Sequence, residues 1–142
     1  MADAGRPTLQ LDVVTPTRLV ISERVAELVA PGSEGYFGVL PDHAPFLTTL
    51  AAGILTYWTK TGERYLAVSR GYAEVRGDRA SILVDSAEPA DEIDVPRAER
   101  ARERAEHRLH EWASGSEVVD SARAKAALKR ALARLEAAGK SH

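Results

Sequence analysis

Leu9, Leu11 and Val13 alternate with Thr8, Gln10 and Asp12, the two-residue period of a strand with one buried face. Residues 17–22 and 25–30 continue the alternation, broken at Pro16 and at Pro31-Gly32. Residues 54–58 and 64–69 flank Thr61-Gly62, and residues 72–75 and 81–84 flank Gly77-Asp78, so each pair predicts a β-hairpin. The pattern then changes across Ile93-Asp94-Val95-Pro96-Arg97-Ala98. Beyond it no glycine occurs until Gly115, and alanine, arginine and glutamate dominate. Apolar residues at Val95, Ala98, Ala101, Ala105, Leu109 and Trp112 fall in steps of three and four, one face of a helix running from Asp94 to about Trp112. Asp94 is suited to cap that helix by accepting a first-turn N–H, and Pro96 is tolerated where no acceptor waits for its missing donor. Ser114-Gly115-Ser116 breaks the run, and a second helix from about Val119 to Ala137 places Ala124, Leu128, Ala131, Leu132 and Leu135 on one side. The pattern predicts an N-terminal antiparallel β-sandwich (or barrel) over residues 1–88 and a C-terminal antiparallel two-helix hairpin over residues 89–142.

The facing helical stripes are rich in alanine, which permits close approach but buries little. At ~0.8 kcal/mol per buried CH₂ such a seam contributes a few kcal/mol, against roughly 1–2 kcal/mol to order each residue's backbone. The hairpin is therefore expected to depend on docking against something else, and to detach or extend at low cost.

Composition sets the outer bounds. A chain of 142 residues, 44% apolar and 28% charged, is one domain or one domain with an appendage. A net charge of −2 argues against a general nucleic-acid binder. The absence of cysteine removes disulfides and thiolate metal sites. Residues 1–7 lack the apolar core of a signal peptide and read as a frayed end, and residues 47–58 are too short to span a bilayer, so a cytosolic or peripheral protein is expected. Charge is uneven: residues 1–88 hold 8 Lys/Arg and 11 Asp/Glu, residues 89–142 hold 11 and 10. Within residues 121–140, Arg123, Lys125, Lys129, Arg130, Arg134 and Lys140 face the single acid Glu136, making the last helix the one strongly basic element.

Candidate chemistry is sparse. Residues 32–45 carry Gly32, Gly35 and Gly38 three apart. No Gly-Lys-Ser/Thr follows, and the spacing is not that of a dinucleotide fingerprint, so this stretch reads as turn chemistry. His43 has no nucleophile beside it and reads as a hydrogen-bonded structural residue. His107 and His110, three apart on the first helix near Glu103, Glu106 and Glu111, have the spacing of a metal pair. They also suit a solvated charged face with a Glu103–His107 pair, the commoner arrangement. An enzyme of sandwich fold is the weakest reading, because no nucleophile–base pair, paired carboxylates or metal cluster emerges.

Gly-x-Phe-Gly-Val-Leu-Pro-x-His-Ala-Pro over residues 35–45, Leu47-Thr48 with Gly53, Ala67-Val68-Ser69 with Gly71, and Ile-Asp-x-x-Arg-Ala over residues 93–98 follow one another in order. Together they resemble the epsilon subunit of the F-type ATP synthase over nearly the whole chain. The resemblance implies a non-catalytic central-stalk subunit, peripheral on the cytoplasmic face of the cell membrane and touching the membrane only through its partners. Those partners are the gamma subunit along the sandwich, and the c-ring beneath a loop bearing Glu34 and Tyr36. The alpha and beta subunits are reached by the C-terminal helices through Arg123, Lys125, Lys129, Arg130 and Arg134. It also implies a regulatory hairpin that folds against the sandwich or extends along gamma to hinder ATP hydrolysis. No cofactor is required, but ATP is a possible regulatory ligand, held by Glu88, Ile93, Asp94, Arg97, Ala98, Arg104, Arg130 and Arg134. The same arginines would also permit a free-standing ATP-binding or sensing protein.

Overall fold

The computed structural model describes residues 6–115 and 120–140. Residues 1–5 of the frayed end expected over residues 1–7, and the expected start of the second helix at about Val119, lie outside the described residues. Ten strands come first: β1 (Leu9–Val14), β2 (Leu19–Val25), β3 (Glu27–Gly32), β4 (Gly35–Val39), β5 (Phe46–Leu50), β6 (Gly53–Thr59), β7 (Gly62–Val68), β8 (Gly71–Arg76), β9 (Arg79–Val84) and β10 (Ala87–Pro89). A 3₁₀ turn (Ala90–Glu92) leads to α1 (Val95–Ala113) and α2 (Ser121–Lys140).

The strands pair in the order β10-β7-β6-β3-β5-β8-β9-β1-β2, with β4 pairing β3. One core draws on every strand: Leu9, Leu11, Leu28, Leu55, Leu66 and Ile82 are its largest fully buried side chains, joined by Val39, Leu50, Ala73 and Ala87. The sheet therefore closes on itself as a sandwich. Every pairing is antiparallel except β1 with β9, where Gln10 to Val14 run parallel to Arg79 to Leu83. Both predicted hairpins form, β6–β7 closing at Gly62 (φ 122) and β8–β9 at Gly77 (φ 62), backbone regions that favour glycine. The stretch expected to be only turns holds a strand instead. β4 pairs β3 from Leu28↔Val39 to Gly32↔Gly35, and the turn end closes tightly because Gly32 has no side chain: an added Cβ would lie 2.7 Å from the Gly35 carbonyl oxygen.

The hairpin start behaves as its sequence requires. Asp94 caps α1, its carboxylate accepting the Arg97 N–H at 3.1 Å, with Pro96 in the first turn. α2 begins at Ser121, behind Asp120, whose carboxylate accepts the Arg123 N–H at 3.1 Å. α2 touches both α1 and the sandwich, against β6, β7 and the 3₁₀ turn. It thus has two buried sides rather than the single stripe expected. Ala124 and Ala131 line the side that meets α1, whereas Ala137 packs with Ile54, Ala67 and Ala90, and with the half-buried Tyr65 and Ile93. Leu132, assigned to the inner stripe by periodicity, is exposed. His107 pairs with Glu111 at 2.7 Å rather than with Glu103. Among the described residues, no helix is long and apolar enough to cross a membrane.

Candidate functional site

The small side chains that let α1 and α2 approach also create a recess between them. Ala101 and Ala105 of α1 and Ala124, Ala127 and Ala131 of α2 form its floor, and long side chains rise around it. Those side chains are Arg104 and Arg108 from α1 and Arg123, Arg130 and Arg134 from α2, enclosing a groove of about 380 Å³. Five guanidinium groups on one groove repel one another, and each presents planar donors suited to phosphate or carboxylate oxygens. Among the described residues, Glu88 is the one carboxylate ion-paired with any of them: it accepts from Arg134 Nε, both side chains about one-third exposed. That bond ties β10 to α2.

Of the eight residues expected at a nucleotide site, Arg104, Arg130 and Arg134 line the groove, and Glu88 joins it through Arg134. The other four build the helix start beside it. Asp94 holds the cap, Ile93 packs against the Ala137 cluster, Ala98 is fully buried, and Arg97 is exposed and does not line the groove. Arg108 was missed, and Arg123 was assigned only to the basic helix. The available signal was spacing: Arg108 lies four residues beyond Arg104, and Arg123 seven before Arg130.

The remaining basic residues of α2 have local work. Lys125 lies over the Trp112 ring, 5.4 Å from its centroid, and Lys140 over Tyr65 at 5.6 Å. These contacts hold the two ends of α2 to α1 and to β7 respectively. Lys129 borders a second cleft, on the sandwich side of α2.

At the other sites, Glu34 sits in the tight β3–β4 turn, exposed. Tyr36 is exposed along its ring, yet its hydroxyl accepts the Ile54 N–H at 3.0 Å. The same contact explains Gly53, where an added Cβ would lie 2.6 Å from both the Tyr36 hydroxyl and Pro31 Cβ. His43 Nδ1 bonds the Ala44 carbonyl at 2.7 Å, and its ring stacks edgewise on Phe46, a structural role. Among the described residues, no three His, Cys, Asp or Glu side chains gather as metal ligands.

One surface feature escaped the sequence reading. On the outer face of the sandwich, Tyr72 pairs with Leu83, Leu83 with Val14, and Val14 with Leu19. Tyr72, Leu83 and Leu19 are each about half exposed, a cross-strand apolar row open to solvent.

Comparison with known proteins agrees over the same span. Residues 8–90 match the ATP synthase delta/epsilon chain beta-sandwich domain, and residues 91–139 match the delta/epsilon chain long alpha-helix domain. The ATP synthase epsilon chain of Nitratidesulfovibrio vulgaris (strain DP4) is 50% identical over 132 residues, covering 93% of this chain and 96% of that one. The epsilon chain of Moorella thermoacetica is 50% identical over 133 residues, covering 93% and 97%. A chain in the cryo-EM structure of Euglena gracilis mitochondrial ATP synthase (OSCP/F1/c-ring, rotational state 1) superposes with a TM-score of 0.78. It is 28% identical, with 92% of this chain and 81% of that chain covered. A chain of the Tetrahymena thermophila mitochondrial ATP synthase central stalk/c-ring shares the fold, at a TM-score of 0.56 and 14% identity over 93% and 94%. The chain belongs to the ATP synthase delta/epsilon chain family, as an epsilon subunit of the F-type enzyme.

Proposed function

We infer that this subunit works without catalysis of its own, as a rotor component whose hairpin brakes ATP hydrolysis when it extends and is held docked, off the brake, by a bound nucleotide. The observation that carries this reading is the interhelical groove, where five arginines converge and, among the described residues, one of them, Arg134, is ion-paired, to Glu88. The groove exists only while α1 and α2 lie together, so an anion bound there favours the folded hairpin. ATP suits the groove by charge, with its phosphates placed among Arg104, Arg130 and Arg134 and Glu88 accepting from the adenine amino group. Asp94 and Arg97, at the helix start, would contribute from the edge. At ~100 times its dissociation constant, a ligand selective for the folded form stabilises it by ~2.7 kcal/mol, as much as an alanine seam supplies.

The partners follow from surface character. The row formed by Leu19, Tyr72 and Leu83 suits the gamma subunit, because an apolar strip of this kind is otherwise exposed. The β3–β4 turn with Glu34, and Tyr36 beside it, is assigned to the c-ring. That contact accounts for a peripheral place on the cytoplasmic face of the membrane. When the hairpin extends, Arg123, Lys125, Lys129, Arg130 and Arg134 would meet an acidic surface of the catalytic alpha and beta subunits, an attraction that weakens with salt.

Calorimetric titration of the purified chain with ATP, with and without magnesium, tests the reading. Saturable binding is expected, and Arg130→Ala should weaken it by about ten-fold or more, the loss of a hydrogen bond to a charged group. Unchanged affinity in Arg130→Ala would remove the groove as the site.

A further inference from the structure

The sandwich side of α2 carries a second cationic cleft, of about 520 Å³, whose walls come from different parts of the molecule. One wall is the pair of turns linking β7 to β8 and β9 to β10. These turns are laced together. The Ser86 N–H donates to Ser69 Oγ at 2.8 Å, the Ser69 N–H to the Ser86 carbonyl at 3.0 Å, and the Asp85 N–H to the Arg70 carbonyl at 3.0 Å. Arg70 Nε also donates to Asp85 Oδ2 at 3.0 Å. The other wall is the first half of α2, which presents Arg123, Lys129 and Arg130 around Ala126. Ala126 lies between the cations with only a methyl group, so the space between them stays open.

The charge of this cleft is unbalanced. Among the described residues that line it, four cations meet one carboxylate, Asp85, and that carboxylate is engaged by Arg70. Among the described residues, no carboxylate lies within ion-pair distance of Arg123, Lys129 or Arg130. Docking the hairpin brings these three groups toward Arg70, a repulsion that an anion would relieve. The cleft is open to solvent and polar on the sandwich side, with the half-buried Ser86 beside the cations. That combination suits a small, strongly hydrated oxyanion better than an apolar ligand.

We propose that this cleft is a second anion site, taking a free phosphate-type oxyanion that bridges the sandwich turns to α2 and holds the hairpin down. It does not rest on the nucleotide reading of the interhelical groove, from which α2 separates it. Among the described residues, only Arg123 and Arg130 border both recesses.

The test is a titration of the full-length isotope-labelled chain with inorganic phosphate at constant pH and ionic strength, followed by backbone amide shifts. Saturable shifts are expected at Ser69, Arg70, Ser86 and Ala126. Arg70→Ala and Lys129→Ala should each raise the apparent dissociation constant by about ten-fold, Lys129→Arg should restore it, and Arg108→Ala, which borders only the groove, should leave it unchanged. Hydrogen exchange of α2 amides should slow by about ten-fold at ten times the dissociation constant. Shifts that stay linear with phosphate, or that persist equally in Lys129→Ala, would overturn the proposal. Shifts at Ser69 and Ser86 produced by ATP but not by inorganic phosphate would overturn the assignment to a free oxyanion.

Discussion

The sandwich and the hairpin are equally regular in backbone and unequal in what they bury. The sandwich core holds Leu9, Leu11, Leu28, Leu55, Leu66 and Ile82 at 1% exposure or less. Every buried residue of the two helices is alanine: Ala98 and Ala105 in α1, and Ala124, Ala131, Ala133, Ala137 and Ala138 in α2. Burying a leucine is worth roughly 2 kcal/mol and a methyl group about 0.8 kcal/mol. Regular secondary structure therefore says little about how firmly a region is held. The hairpin is fastened at its margins instead, by the Glu88–Arg134 ion pair, by Lys140 over Tyr65, and by Ile93 and Ala137 against Ile54 and Ala67. Such fastenings can be exchanged for contacts elsewhere, which a regulatory arm requires and a scaffold does not. The low-stability end of a fold is where moving elements are found.

The comparison is broken most directly in the sandwich. Leu55→Ala should cost about 2–5 kcal/mol of global stability, read from chemical denaturation, because Leu55 is fully buried in the core. A cost below about 1 kcal/mol would mean that the core is not what holds the chain together.

The hairpin is tested at its docking face. Ala137→Leu adds three carbons where Ala137 has no exposure, and overpacking of this kind costs typically about 1–3 kcal/mol. The cost should fall on docking alone. Amide exchange in α1 and α2 should rise about ten-fold or more, while that of β6 and β7 stays unchanged. Equal acceleration in both regions would show that sandwich and hairpin unfold as one unit, and the contrast drawn above would fail.

The same contrast governs what could be read from the residues. The sandwich was legible because one buried face imposes a period of two, as in Leu9, Leu11 and Val13. It failed at β4, where Gly35 and Gly38 signal turns locally and only the pairing of Leu28 with Val39 and Ala30 with Phe37 makes a strand. The glycines of the family motifs were readable as a signature, but their reason is geometric. A Cβ on Gly71 would lie 1.9 Å from the Leu83 carbonyl oxygen, where the start of β8 pairs with the end of β9. In the hairpin, periodicity finds one apolar stripe and cannot divide α2 between two neighbours, so Leu132 was placed inside and Ala133 and Ala137 were overlooked. The groove inherits that ambiguity. Arg104, Arg130 and Arg134 are implied by the family resemblance, whereas the places of Arg108 and Arg123 in the groove depend on which side of α2 meets α1.

The smallest expected effect probes the sandwich through pH. Asp12 on β1 accepts hydrogen bonds from Gln10 Nε2 at 3.1 Å and Ser22 Oγ at 2.8 Å, and forms an ion pair with Arg79. The Gln10 bond, with those of Ser22 and Arg79 and the Arg79 charge, outweighs partial burial and holds its carboxyl below the usual carboxylate range. A carboxyl group depressed in the folded state contributes stability that is fully present above its unfolded pKa and is lost as pH falls through the folded value. The wild type should therefore lose up to about 1 kcal/mol from this group below about pH 4. Asp12→Asn should lose that amount at neutral pH and show a correspondingly flatter acid limb, measured by denaturant midpoints across the range. Because Asp12 is on β1, whereas α2 packs on β6 and β7, acidification through this group narrows the stability gap from the sandwich side only. Hairpin exchange relative to the native sandwich should be the same in Asp12→Asn as in the wild type. A change in hairpin opening in that variant would mean the two regions are coupled through the sheet, and the margin contacts would no longer suffice to explain how the arm is held.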